Sequence, residues 1–147
     1  MNKVNLKRLA GLAAVVLIGY FTMVEVNTYL GKKTLEKTGL EILPLEAAFL
    51  KAKEQDKPIL ADLSAIWCPT CRRLDAQVLS DPAVKERIHD QFIYARIEYE
   101  SEEGKAFQKR YGVSGFPNLL ILNADGSIVR KLAMTFEPED FLKQLHI

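Results

Sequence analysis

The chain has 147 residues, 48% of them hydrophobic and 27% charged, with a formal net charge of +1. That length allows one domain plus a short appendage, and the composition is ordinary for a globular protein. No basic stripe or cluster of stacking aromatics marks a nucleic-acid binder, and two cysteines three positions apart close too small a loop to staple a fold.

The first element is an apolar run, Leu9 to Val24, 16 residues without a charge. Lys3, Lys7 and Arg8 precede it, the layout of a signal peptide or an N-terminal anchor. A full span needs about 20 residues, so the helix is expected to continue towards Leu30, with Glu25 at headgroup level. No small-x-small cleavage site follows, which favours an uncleaved anchor; a secreted soluble domain after cleavage is the alternative. The basic flank predicts a cytoplasmic N-terminus. The expected location is therefore a single pass in the inner (cytoplasmic) membrane, with the following domain on the periplasmic or other extracytoplasmic side. The expected division is 1–30 anchor, 31–39 linker or loose helix extension, and 40–147 domain.

Leu45 to Gln55 places Leu45, Ala48, Phe49 and Ala52 on one helical stripe, stopped at Lys57-Pro58. Ile59 to Ile66 is a short apolar run, as in a strand covered on both faces. A turn over Trp67 to Thr70 leads into a helical pattern from Cys71. Asp81 suits an N-cap and Pro82 a first turn. Phe92 to Tyr99 alternates like a strand. Ser101 to Tyr111 reads as a helix with Ser101 as cap and Gly112 past its end. Asn118 to Leu122 and Ser127 to Leu132 are two strands around an Asn123-Ala124-Asp125-Gly126 turn. Glu137 to Leu145 closes as a helix. The order predicts an α/β fold with a mixed central sheet and helices on both faces.

The chemistry concentrates in Trp67-Cys68-Pro69-Thr70-Cys71. A cysteine at the start of a helix meets unpaired backbone N–H groups and a partial positive charge. Both favour the thiolate, the form that attacks a disulfide. The second cysteine, one turn on, is placed to close a disulfide. Pro69 stiffens the turn and withholds one donor. Trp67 offers a flat apolar surface beside the pair. The competing use of Cys-x-x-Cys is half a zinc site, which lacks ligands. His89 and His146 have no second ligand near in sequence, and Met134 stands alone, so no metal or other cofactor is expected.

These residues resemble the thioredoxin superfamily over about Leu40 to Leu145. The resemblance rests on Ile59 to Cys71, on Tyr111-Gly112-Val113-Ser114-Gly115-Phe116-Pro117, and on the hairpin after it. Ser80-Asp81-Pro82-Ala83-Val84 is similar to the C-terminal domain of DsbD-type transmembrane disulfide reductases. Cys-Pro-Thr-Cys also resembles the active site of cytochrome c maturation thioredoxins. The resemblance implies a thioredoxin fold after a transmembrane helix. It makes Cys68 the attacking and Cys71 the resolving cysteine. It makes Asp62 a buried carboxylate beneath them, and Pro117 a cis-proline opposite. Trp67, Pro69, Thr70, Phe116 and Pro117 would meet the substrate, with Phe116 reshaping the groove where relatives carry isoleucine or threonine. Arg96 falls where thioredoxins often carry lysine, and an arginine cannot release its proton at working pH. A solvated surface position is the other reading of Arg96. For Tyr99 and Phe136, core packing is favoured over a partner surface.

The implied function is thiol–disulfide oxidoreduction, first as a dithiol reductant of exported proteins or of a periplasmic relay. An oxidase or isomerase would use the same residues, and a non-catalytic binding module is a third class. The implied partners are protein disulfide clients, an upstream dithiol donor such as a membrane reductase, and the membrane through the N-terminal helix. The reading requires a reachable Cys68 next to the Pro117 bend.

Overall fold

The computed structural model describes residues 3–146. Met1, Asn2 and Ile147, the outer ends of the expected anchor and domain, lie outside the described residues. Strand β1 (Ile59–Ser64) is buried along its whole length at the centre of a four-stranded sheet. It pairs in parallel with β2 (Ile93–Glu98) and antiparallel with β3 (Asn118–Leu122). Strand β4 (Ile128–Lys131) pairs with β3 and forms one edge, giving the order β2-β1-β3-β4. Burial on both faces explains why β1 is a nearly unbroken apolar run.

The two-residue period of the strand sorts its side chains. Ile59, Ala61 and Leu63 join a core with Leu45, Ala48 and Ala52 of α2 (Leu45–Gln55) and Phe107 of α5 (Glu102–Tyr111). Leu60 joins the opposite core. That core contains Leu74 of α3 (Pro69–Leu74), Val84 and Ile88 of α4 (Pro82–Gln91), and Phe141 of α6 (Pro138–Gln144). Helices thus cover both faces.

Local signals place the helix ends. Asp81 accepts from the N–H groups of Ala83 and Val84, and Ser101 from that of Gly104. Gly112 ends α5 with φ 60°, a left-handed conformation that costs glycine little. Two features escaped the sequence pattern. Asp75–Leu79 widens into a π-helical turn directly after α3. Leu43, outside the four strands, forms a single parallel bridge with Ala95 of β2, and Pro44 follows immediately.

Helix α1 (Lys3–Thr38) has two unlike halves. Residues 7–23 are exposed throughout. An 18-residue window of the helix reaches a mean hydropathy of 2.0, so it is long and apolar enough to cross a membrane by length and composition. Residues 31–38 continue the helix rather than forming a free linker. On this second half, Val24, Asn27, Thr28, Gly31, Thr34, Leu35 and Thr38 are buried or half-buried, while their neighbours stay exposed. The steps of three and four residues mark one seam, which packs on α3 and the π-helical turn.

Candidate active site

The reactive turn hangs between the end of β1 and the start of α3. The Cys68 backbone N–H bonds to the Ala65 carbonyl at 3.0 Å, which closes the turn. Cys68 is the N-cap of α3, and its Sγ accepts the backbone N–H of Cys71 at 3.2 Å. The sulfur thus takes the place of a capping oxygen at the helix start. Pro69 occupies the first helical position, where its missing N–H removes no intrahelical bond. Both cysteines are free thiols.

The two sulfurs differ in environment. Cys68 keeps 5% of its surface exposed and Cys71 none. The sequence reading expects an open Cys68, whereas the structure leaves a narrow opening. The physical reason is an aromatic roof. Trp67, Tyr99 and Phe116 pack on the cluster formed by Ala65, Cys68 and Cys71. Phe116 stands edge-on to Trp67 at 5.4 Å and to Tyr99 at 4.6 Å between ring centroids. Trp67 Nε1 donates to Glu100 at 3.4 Å. The Phe116–Pro117 peptide bond is cis. Phe116 therefore brings the Pro117 loop against the cysteine pair, while Pro69 and Thr70 remain on the exposed outer side of the turn. Burial pushes the Cys71 thiol up to about 12; proximity to Cys68 adds to this, and the Ala65 backbone and Ser64 oppose it.

Beneath the sulfurs lies a charged floor. Asp62 is fully buried in β1. Arg96 sits beside it in register on β2. One guanidinium nitrogen of Arg96 donates to Asp62 Oδ2 at 3.1 Å and to Asp75 Oδ1 at 2.8 Å. The Tyr94 hydroxyl also donates to Asp62 Oδ2, at 2.8 Å. The Arg96 side chain is 6% exposed, which rules out a solvated surface position. Two buried carboxylates share one cation, so the cluster carries one negative charge more than it can pair. Burial accordingly raises Asp62 and pushes Asp75 up to about 6, while Arg96 holds both down. Burial works against the Arg96 charge, but Asp62, Tyr94 and Asp75 outweigh it and keep the guanidinium protonated. Asp62 Oδ1 and Asp75 Oδ2 have no protein partner. An unpartnered charged oxygen adds to the cost of burial, so each carboxyl takes up a proton more readily than it would in water. The Ser64 hydroxyl lies where it acts on both Asp62 and Cys71, although it makes no well-formed hydrogen bond.

The structure brings together Cys68, Cys71, Trp67 and Phe116; Asp62 lies fully buried two residues before Ser64, on the same face of β1. Sequence reasoning missed Asp75, Tyr94, Ser64 and Glu98. Glu98 accepts the Ile66 N–H at 3.2 and 3.3 Å and so pins the turn two residues before Cys68. Burial raises its carboxyl, and the Ile66 N–H opposes the rise. Period-two alternation was the only available signal, because it places Ser64 on the Asp62 face of β1. Tyr99 packs on the cysteine cluster, and Phe136 lies under the Arg73 guanidinium at 4.0 Å. The His89 side chain is 86% exposed beside Asp90. Among the described residues, no group of three or more metal-ligating side chains converges.

Comparison with known proteins gives the same picture. The sequence profile of a family described as thioredoxin-like matches residues 41–124. The "Thiol:disulfide interchange protein DsbD" of Neisseria meningitidis is 28% identical over 89 residues, 60% of this chain and 15% of that protein. The chain thus spans about a seventh of that relative's length. The structure of a thioredoxin from Thermus thermophilus superposes with a TM-score of 0.65 at 27% identity, over 72% of this chain and 84% of the other. The oxidised C-terminal domain of Neisseria meningitidis DsbD gives 0.57 at 28% identity, over 67% of this chain and 87% of that one. With the profile covering more than half of its length, the chain belongs to the thioredoxin-like family.

Proposed function

We propose that this chain is a membrane-anchored thiol–disulfide oxidoreductase that passes electrons from its Cys68–Cys71 dithiol to disulfides of exported proteins or of a periplasmic relay. The observation that carries this reading is the Cys68 sulfur at the head of α3, with Cys71 one turn on and Asp62 fully buried in the strand that leads into the turn. In the forward reaction the Cys68 thiolate attacks one sulfur of a client disulfide. A mixed disulfide forms, and the other client sulfur leaves as a thiolate. Cys71, after giving its proton towards Asp62, attacks Cys68. The Cys68–Cys71 disulfide forms and the second client sulfur is released. Two electrons pass to the client, whose thiolates take up two protons. An upstream dithiol, carried by a membrane reductase, then reduces the pair again.

The remaining assignments follow from α1. Residues 1–30 anchor the chain and 40–147 form the redox domain. Lys7 and Arg8 keep the N-terminus cytoplasmic, so the domain faces the periplasm. The aromatic roof forms the substrate-facing surface, with Trp67, Pro69, Thr70, Phe116 and Pro117 as its contacts.

Insulin-disulfide reduction tests the activity: wild type is expected to be active and Cys68→Ser inactive. Equal rates would leave a binding module. In Cys71→Ser the mixed disulfide persists, and its partner identifies the client. A measured potential near about −120 mV, the strongly oxidising end of the scale, would overturn the reductant direction in favour of an oxidase.

A further inference from the structure

The second half of α1 touches the reactive turn itself. A methyl group on Gly31 would collide with the carbonyl oxygen of Ile66, so the helix backbone lies directly against that peptide. The N–H of the same residue is held by Glu98. The Ile66 residue, two before Cys68, is therefore clamped from both sides. One turn further down α1, Asn27 accepts a hydrogen bond from Arg72 of α3 at 2.9 Å. Small and polar residues at the seam allow this close approach.

Helical rise turns these contacts into heights. Val24 ends the charge-free run, and Asn27 and Gly31 lie about 5 and about 10 Å beyond it along the axis. The headgroup layer is about 5–7 Å deep on each side of a bilayer. Arg72 is then at headgroup level, and Ile66 only just above it. Tyr29 and Leu30 face away from the domain and are exposed, at the level where tyrosine favours the interface.

Resting on the membrane-anchored oxidoreductase reading, we propose that α1 is part of the active-site scaffold. Its Val24–Thr38 seam fixes the dithiol at the membrane surface, and thereby selects partner proteins whose reactive disulfide lies within that surface layer. A flexible tether would let the domain reach far from the bilayer. A docked helix continuous with the span does not.

The test uses the full chain in liposomes with single-span reporter peptides, each carrying one disulfide loop. In one reporter the loop sits directly above the span. In the other it sits on a flexible stalk of about thirty residues, reaching about 30 Å. The wild-type chain is expected to reduce the short reporter at least about tenfold faster. A Gly-Ser insertion of about twelve residues after Glu25 leaves the Gly31 contact intact but frees the height. It is expected to reduce the two reporters at rates within about twofold of each other. Its rate with a small soluble disulfide is expected to equal that of wild type. Gly31→Leu, which pushes α1 off Ile66, is expected to lose the preference as well.

Equal wild-type rates on both reporters, or a preference that survives the insertion, would overturn the proposal and leave the oxidoreductase reading intact. Failure to reduce the small disulfide would instead remove the oxidoreductase reading, and this proposal with it. Failure of the chain to float with liposomes would remove the anchor on which both heights depend.

Discussion

The roof and the floor of the dithiol are built by opposite means. Above the sulfurs, Trp67, Tyr99 and Phe116 exclude water with apolar rings packed edge to face. Below them charge is buried: Asp62 and Asp75 accept hydrogen bonds from the shared Arg96 guanidinium, and Tyr94 donates a further one to Asp62. The roof acts through area and access and tolerates change in proportion to size. The floor acts through balance, and removing one member leaves the others uncompensated. The two surfaces therefore fail differently, and mutations separate them.

The largest effect is expected at the centre of the floor. Arg96→Met leaves two buried carboxylates without their cation and should cost about 3–5 kcal/mol of stability at pH 7. The loss should be smaller at pH 4, where the carboxyls accept protons. Urea unfolding at both pH values checks this, and a pH-independent loss would show that packing rather than charge is at stake. Next is Asp62→Asn, which removes the group expected to take the Cys71 proton. Resolution of the mixed disulfide should slow at least about tenfold, or about 1.4 kcal/mol in the barrier. The first attack by Cys68 should change less, as stopped-flow mixing with a model disulfide would reveal.

Asp75 gives a subtler signature. Its folded value of about 6 lies above the ordinary carboxyl value of 3.8. A carboxyl raised on folding contributes stability below its unfolded value, and that contribution is lost as pH rises through the folded one. Wild-type stability should thus decline between about pH 4 and 6 more steeply than that of Asp75→Asn, which keeps only the Asp62 contribution. Parallel stability curves for the two proteins would contradict the shared-charge account. The smallest effect belongs to the roof. Phe116→Ala should open Cys68 and raise its alkylation rate by iodoacetamide about three- to tenfold, with the fold retained. An unchanged rate would mean that the ring does not control access.

The same contrast explains what could be read in the sequence. The reactive turn was legible because its parts are neighbours: strand, Cys-Pro-Thr-Cys and helix start follow one another. Asp62 stood out as an acid inside an apolar strand. Asp75 did not, because it lies in an ordinary helical stretch and gains meaning only where the π-helical turn meets Arg96 from β2. Tyr94 likewise reads as one more strand aromatic. Glu98 is an acidic residue near a strand end until register places it beside Ser64, within reach of the Ile66 N–H. The α1 seam was invisible for another reason. Hydropathy detects apolar stripes, and in this seam only Val24 and Leu35 are apolar; Asn27, Thr28, Gly31, Thr34 and Thr38 fit by small size or hydrogen bonding rather than by water aversion.

The outer edge of the sheet has a consequence for crowding. All four residues of β4 are exposed, and no further strand lies beyond it among the described residues. Such an edge invites a second chain to add on. Here Arg130 and Lys131 follow one another, so a positive charge stands on each face. Arg130 also donates to the carbonyl oxygens of Gln144 and His146, which draws the C-terminal segment against the strand. Like charges brought together across a two-fold strand pairing would repel, which guards the chain against self-aggregation through this edge.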